Sequence, residues 1–229
     1  MQTKSTKAKG MKTKGTKARG TKAGDSRGFS LIELMVALGV TMVIMVVAGR
    51  MLAMSLNVRM RENQRTEAIA DVQRALQMMT REIANAGLGL STNGLSSDSP
   101  NEPVYGELRV RSNLNAFEET TPATDDTDED VVYTLINNNT GDEPQRLITR
   151  QDVNLPGQIS QLANRVDALR FDFFKADGTG TTPAEADKVR ITVTVNLPAV
   201  GSPQQAGYQP STRMQLASEA TLRNRLLAL

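Results

Sequence analysis

The chain contains no cysteine and no histidine. Their absence removes cysteine nucleophiles, histidine general bases, histidine-ligated metals and zinc fingers together. It also removes disulfides, so the fold must rest on its packed core. Aromatic residues make up 3% of the chain, and none cluster beside arginines where bases could stack, so no nucleic acid partner is expected. No Ser, Thr or Asp stands in a recognisable catalytic setting. Gly87-Leu88-Gly89 does not complete a phosphate-binding loop, and it follows a helical pattern instead of preceding one. These absences describe a non-enzyme without cofactor or metal.

Charge is divided along the chain. Residues 1–28 hold seven Lys and two Arg against one Asp, a formal +8; the remaining 201 hold 18 cations against 24 acids, a formal −6. The sequence pI near 9.0 therefore describes the leader. Beyond it only Lys175 and Lys188 remain as lysines. The leader repeats a five-residue motif, as in Thr6-Lys7-Ala8-Lys9-Gly10 and Thr16-Lys17-Ala18-Arg19-Gly20. It has no apolar periodicity and cannot fold alone. Its expected role is to hold one end in the cytoplasm by the positive-inside rule. A start at Met11 would keep a basic flank.

From residue 29 to 49 the chain is largely apolar. At helical rise that is about 31 Å, enough to cross a hydrocarbon core. Arg50 ends the run. Glu33 interrupts it, and a lone carboxylate costs about 2.5–3.5 kcal/mol at mid-bilayer, so it either has a task or snorkels to the nearby surface. A secretory signal would put a shorter apolar stretch before a small-residue cut. Here the apolar stretch is longer, so it reads as a membrane anchor and not as such a signal.

Further on the pattern becomes amphipathic. Ile69, Val72, Leu76, Met79, Ile83 and Ala86 follow 3-4-3-4-3 spacing and share one helix face. Gly87 offers a left-handed C-terminal cap. One helix over about 29–86 is expected, with a coiled coil as the alternative for its second half. Strand patterns occupy 104–111, 131–136, 146–150, 166–174 and 188–196, and Met214, Leu216 and Leu222 suggest a last strand. Residues 176–180 mark a hairpin with a long loop. A helix packed on an antiparallel sheet gives both apolar faces a partner, so the fold class is α+β.

In its register of Gly28, Phe29 and Glu33 before an apolar helix, the chain resembles type IV pilins and pseudopilins. Arg81-Glu82-Ile83-Ala84-Asn85-Ala86-Gly87 and Ala220-Thr221-Leu222-Arg223-Asn224-Arg225 are similar to segments of the PilW-like minor pilins. The resemblance implies cleavage after Gly28 by a prepilin peptidase, N-methylation of Phe29, and assembly with other pilin-like subunits. It implies that Glu33 pairs with the Phe29 amine of a neighbouring subunit. It implies a minor pilin that primes or caps a pilus or pseudopilus, anchored by a single span in a bacterial inner membrane, with its C-terminal domain in the periplasm or at a pilus tip. The corresponding domains are a cleaved basic leader 1–28, a transmembrane half-helix 29–56, an amphipathic half-helix 57–87 and a β-rich domain 88–229.

Two alternatives stay open: a J-type minor pseudopilin of type II secretion, and an uncleaved single-span periplasmic binding protein. Asp125, Asp126, Asp128, Glu129 and Asp130 form an acidic cluster. Its spacing lacks the Gly and terminal Glu of a calcium loop, so a solvated acidic loop is expected, with a calcium site as the alternative. Arg59, Arg61 and Arg65 are read as facing headgroups or another subunit, or as a solvated helix face.

Overall fold

A computed structural model describes residues 28–98, 104–116, 123–138 and 145–224. Residues 1–27 of the leader and the last residue of the 220–225 segment lie outside these. The chain divides into two compact units, Met1–Val46 and Val47–Leu229, and helix α1, Leu31–Asn85, contributes to both.

In the first unit every described side chain is exposed. Leucine, isoleucine, valine and methionine dominate it, residues that a water-soluble fold buries. Helix α1 contains a window, none of it buried, that is long and apolar enough to cross a membrane. The hydroxyl of Thr41, a polar interruption there, donates to the carbonyl of Ala37 at 2.7 Å and so brings its own partner.

In the second unit the same helix acquires a buried stripe: Arg61, Ala68, Val72, Ala75, Leu76, Met79, Ile83 and Ala84. From Ala68 to Ile83 the apolar members fall at +4, +7, +8, +11 and +15, one face of a 3.6-residue helix. Ile69 is half-buried at the border of this face. The helix ends by a tight turn, Ala86 N–H to Ile83 O at 3.1 Å and Leu88 N–H to Asn85 O at 3.2 Å. Gly87 there has φ +76°, and a Cβ on it would lie 2.7 Å from Thr92 O, so only glycine fits.

Among the described residues eight strands follow: β1 Leu95–Ser96, β2 Val104–Tyr105, β3 Glu107–Arg111, β4 Asp130–Asn138, β5 Gln145–Asp152, β6 Ile159–Phe174, β7 Lys188–Leu197 and β8 Thr212–Thr221. Every pairing is antiparallel. The order is β1-β3-β4-β5-β6-β7-β8, a meander from β3 onward, with β2 on β6. The inward residues of these strands, among them Leu108, Tyr133, Ile148, Leu169, Phe171, Ile191 and Val193, form one cluster with Val72, Met79 and Ile83 of the helix. Burying each such side chain is worth about 1.5–3 kcal/mol. The layout is α+β, a long N-terminal helix packed on an antiparallel sheet.

Two strand readings are corrected. The expected single strand over 104–111 is β2 and β3, broken at Gly106, φ +79°. Its two pieces pair with different strands, β6 and β4. The strand expected from 166 starts at Ile159, with register shifts against both neighbours.

Candidate functional site

The N-terminal site is built from sequence-local rules. Gly28, Phe29 and Ser30 precede the helix and are exposed, Phe29 at 86%. Ser30 takes the N-cap place, its carbonyl accepting the Leu34 N–H at 3.1 Å. Glu33, three residues on, reaches back with Oε2 to accept the Ser30 N–H at 3.1 Å. Ser30-Leu31-Ile32-Glu33 is thus the Ser-x-x-Glu pattern in which a glutamate satisfies a donor at the helix start. A carboxylate there also faces the positive end of the helix dipole. Its position one turn from the Gly28–Phe29 bond is therefore fixed by the helix itself. A Cβ on Gly28 would meet nothing within 4 Å, so the fold does not require glycine at that point.

The second group of polar residues lies where α1 meets the sheet. Arg61 is not solvated; 8% exposed, it donates to the carbonyls of Pro198 and, at 2.8 Å, Pro210, pinning the 198–210 loop to the helix. Arg59 and Arg65 are exposed. Glu82 accepts from the Tyr133 hydroxyl and from Arg150 Nε at 3.0 Å. Arg150 Nη2 also donates to Asp128 Oδ1 at 2.5 Å. Burial first, then the Glu82 carboxylate, pushes the Tyr133 hydroxyl far above its ordinary value. Burial works against the charge of Arg150, but Asp128 and Glu82 outweigh it and raise its value.

The acidic cluster is organised and only partly solvated. Glu129 is 1% exposed, and its carboxylate accepts the backbone N–H of Leu114 at 2.6 Å and of Asp126 at 3.1 Å. Asp130, also buried, is gripped by Arg109 in a two-pronged contact, Nε to Oδ1 at 2.7 Å. That hydrogen bond raises the Arg109 value. The carboxylates are spent on amides and guanidinium groups, and among the described residues no acidic group is arranged to hold a metal ion.

Residues 81–87 and 220–224 meet in space. Arg223 N–H donates to Ala84 O at 3.1 Å, and Asn224 Nδ2 donates to Asn85 O at 3.0 Å and Ala86 O at 3.4 Å. The last carbonyls of a helix lack partners within it, and the end of β8 supplies them. Sequence reasoning did not pair these segments; an Asn close after an apolar strand was the available signal.

Residues 24–49 match the family described as the prokaryotic N-terminal methylation motif. That match supports a type IV pilin-like protein. No curated protein and no solved structure matches it. The match covers Gly28, Phe29 and Glu33 and ends at Gly49, so it does not reach the segments similar to PilW-like minor pilins. In a pilin-like protein this motif implies processing by a prepilin peptidase and assembly with other pilin subunits. The exposed apolar half of α1 fits an inner-membrane anchor, and the family is structural, not catalytic.

Proposed function

We propose that the chain is a minor pilin or pseudopilin that primes or caps filament assembly. The peptidase cuts after Gly28, on the side held by the basic leader. Phe29 then carries a new charged amine, which is N-methylated. Glu33 lies one turn away, and the docking of a neighbouring subunit brings the partner amine to it. Two opposite charges about 4 Å apart gain far more in lipid than in water, and pairing relieves the cost of an isolated buried acid.

The observation that carries this reading is the methylation motif with Gly28, Phe29 and Glu33 in register. The helix supports it: exposed and apolar in its first unit, buried against a sheet in its second. The domain after the helix is assigned to the periplasm, opposite the basic leader.

The test is Glu33→Val. It makes the span more apolar, so insertion is retained or improved. Cleavage should continue, while co-purification with other pilin-like subunits is lost. Full assembly of the Val variant would return Glu33 to a helix-capping residue only.

A further inference from the structure

Arg111, at the end of β3, separates two cavities at the C-terminal end of α1. One, about 560 Å³, is lined among others by Ser91, Thr92, Ser96 and Asn224. The other, about 290 Å³, shares Ser91 and Thr92 and adds Thr124. Arg111 lines both, and among the described residues no carboxylate lines either. Its Nε is buried and has no hydrogen-bond partner. The acid opposite it across the β3–β4 pair, Asp130, is already held by Arg109.

Other arginines of the sheet have partners: the exposed Arg146 donates to Asn137 Oδ1 and to the Asp167 carbonyl, and others face acids. Arg150 has Glu82 and Asp128, Arg165 has Glu67, Arg170 has Asp172, Arg190 has Glu219 and Arg213 has Asp167. A half-buried guanidinium without an acid, placed between hydroxyl-lined hollows, is a costly arrangement for stability alone. It suits a ligand that brings the missing negative charge. A guanidinium offers donors in a planar fork that matches carboxylate and phosphate, and the nearby hydroxyls can donate as well.

We infer that Arg111, with Ser91 and Thr92, forms a binding site for an oxyanion, a carboxylate or a phosphate group. Its backbone positions the site. Arg111 N–H donates to Gly94 O at 2.8 Å and its carbonyl accepts from Gly87 N–H at 2.9 Å, so the arginine is joined on both sides to the turn that carries Ser91 and Thr92. The inference stands apart from the assembly role of Glu33 and concerns another part of the molecule.

The experiment uses the full-length chain in non-ionic maltoside micelles, titrated separately with inorganic phosphate and with acetate. Amide resonances of residues 87–94 and 111 should shift and saturate with at least one of them. Saturation by phosphate alone assigns the site to a phosphate group, by acetate alone to a carboxylate. Arg111→Gln should abolish the shifts while Tm without anion stays at or above the parent's. Should that variant fail to fold, Ser91→Ala with Thr92→Ala should weaken binding about tenfold, the size expected for lost hydrogen bonds to a charged ligand. Absence of saturable shifts with both anions, or shifts that persist in Arg111→Gln, overturns the inference.

Discussion

Gly28 and Glu33 do different work although they lie within one turn and a half of each other. The fold leaves open space around Gly28, so in the proposed processing its lack of a side chain serves the peptidase that must reach the bond. Gly28→Leu should leave the protein folded and the leader attached, read by the size of the membrane-extracted chain. A chain starting at Phe29 in that variant would sink the cleavage assignment. Glu33→Gln keeps a hydrogen-bond acceptor for Ser30 N–H while removing the charge, so it should insert normally and assemble less well than the parent. Farther along, Tyr133 titrates predictably. Its folded value stands above the unfolded value of about 10. The stabilisation is therefore complete below pH 10 and is lost above it, because the unfolded chain ionises there while the folded one cannot. Stability should fall by up to about 1.4 kcal/mol per pH unit in that range. Tyr133→Phe should flatten the fall, measured as urea midpoints at pH 9 to 11; an unchanged slope would mean that another group controls it. Of the N-terminal site, Gly28, Phe29 and Glu33 were legible because the pattern is local; the Ser30–Glu33 capping pair, although equally local, was not read. Arg61 was not, since nothing in its surroundings in sequence says that two proline carbonyls from 198 and 210 will close on it.

Helix α1 changes character along its length because its sequence does: uniformly apolar first, striped later. The stripe from Ala68 to Ile83 is what attaches it to the sheet. In a fragment starting at Asn57, which omits most of the exposed apolar stretch, Leu76→Asp should unfold or aggregate the domain, since it buries an unpaired charge among apolar side chains. A Tm equal to the parent fragment's would mean that this face is open. Asn224→Ala should cost about 1 kcal/mol by leaving the last helix carbonyls short of a donor, read as a lowered urea midpoint. Among the strands, β7 was legible because Val189, Ile191, Val193 and Val195 alternate with polar residues and are all buried. The break between β2 and β3 was not. Burial still alternates through Val104, Leu108 and Val110, so the pattern reads as one strand while Gly106 turns the backbone to a second partner. The first half of β6 was hidden for a related reason: residues 159–162 are exposed or half-exposed on both faces, and a register shift follows.

At the scale of the whole chain, the parts divide into an N-terminal signal, an apolar helix able to anchor in a membrane, and an α+β domain held by one core. That division needs neither cysteine nor metal, because the sheet and the helix stripe bury enough apolar surface together. It also accounts for the composition: cations gather before the cut, and acids dominate after it, many of them spent on arginines and amides at the edges of the sheet. The account stands or falls on whether the cell treats the Gly28–Phe29 bond as a processing site. The direct measurement is the intact mass, with N-terminal fragment sequencing, of the protein extracted from membranes of a strain carrying a prepilin peptidase. The account predicts a chain that begins at Phe29 and carries one added methyl group on its amine. A chain that begins at Met1 or Met11, with the basic leader intact, would contradict it.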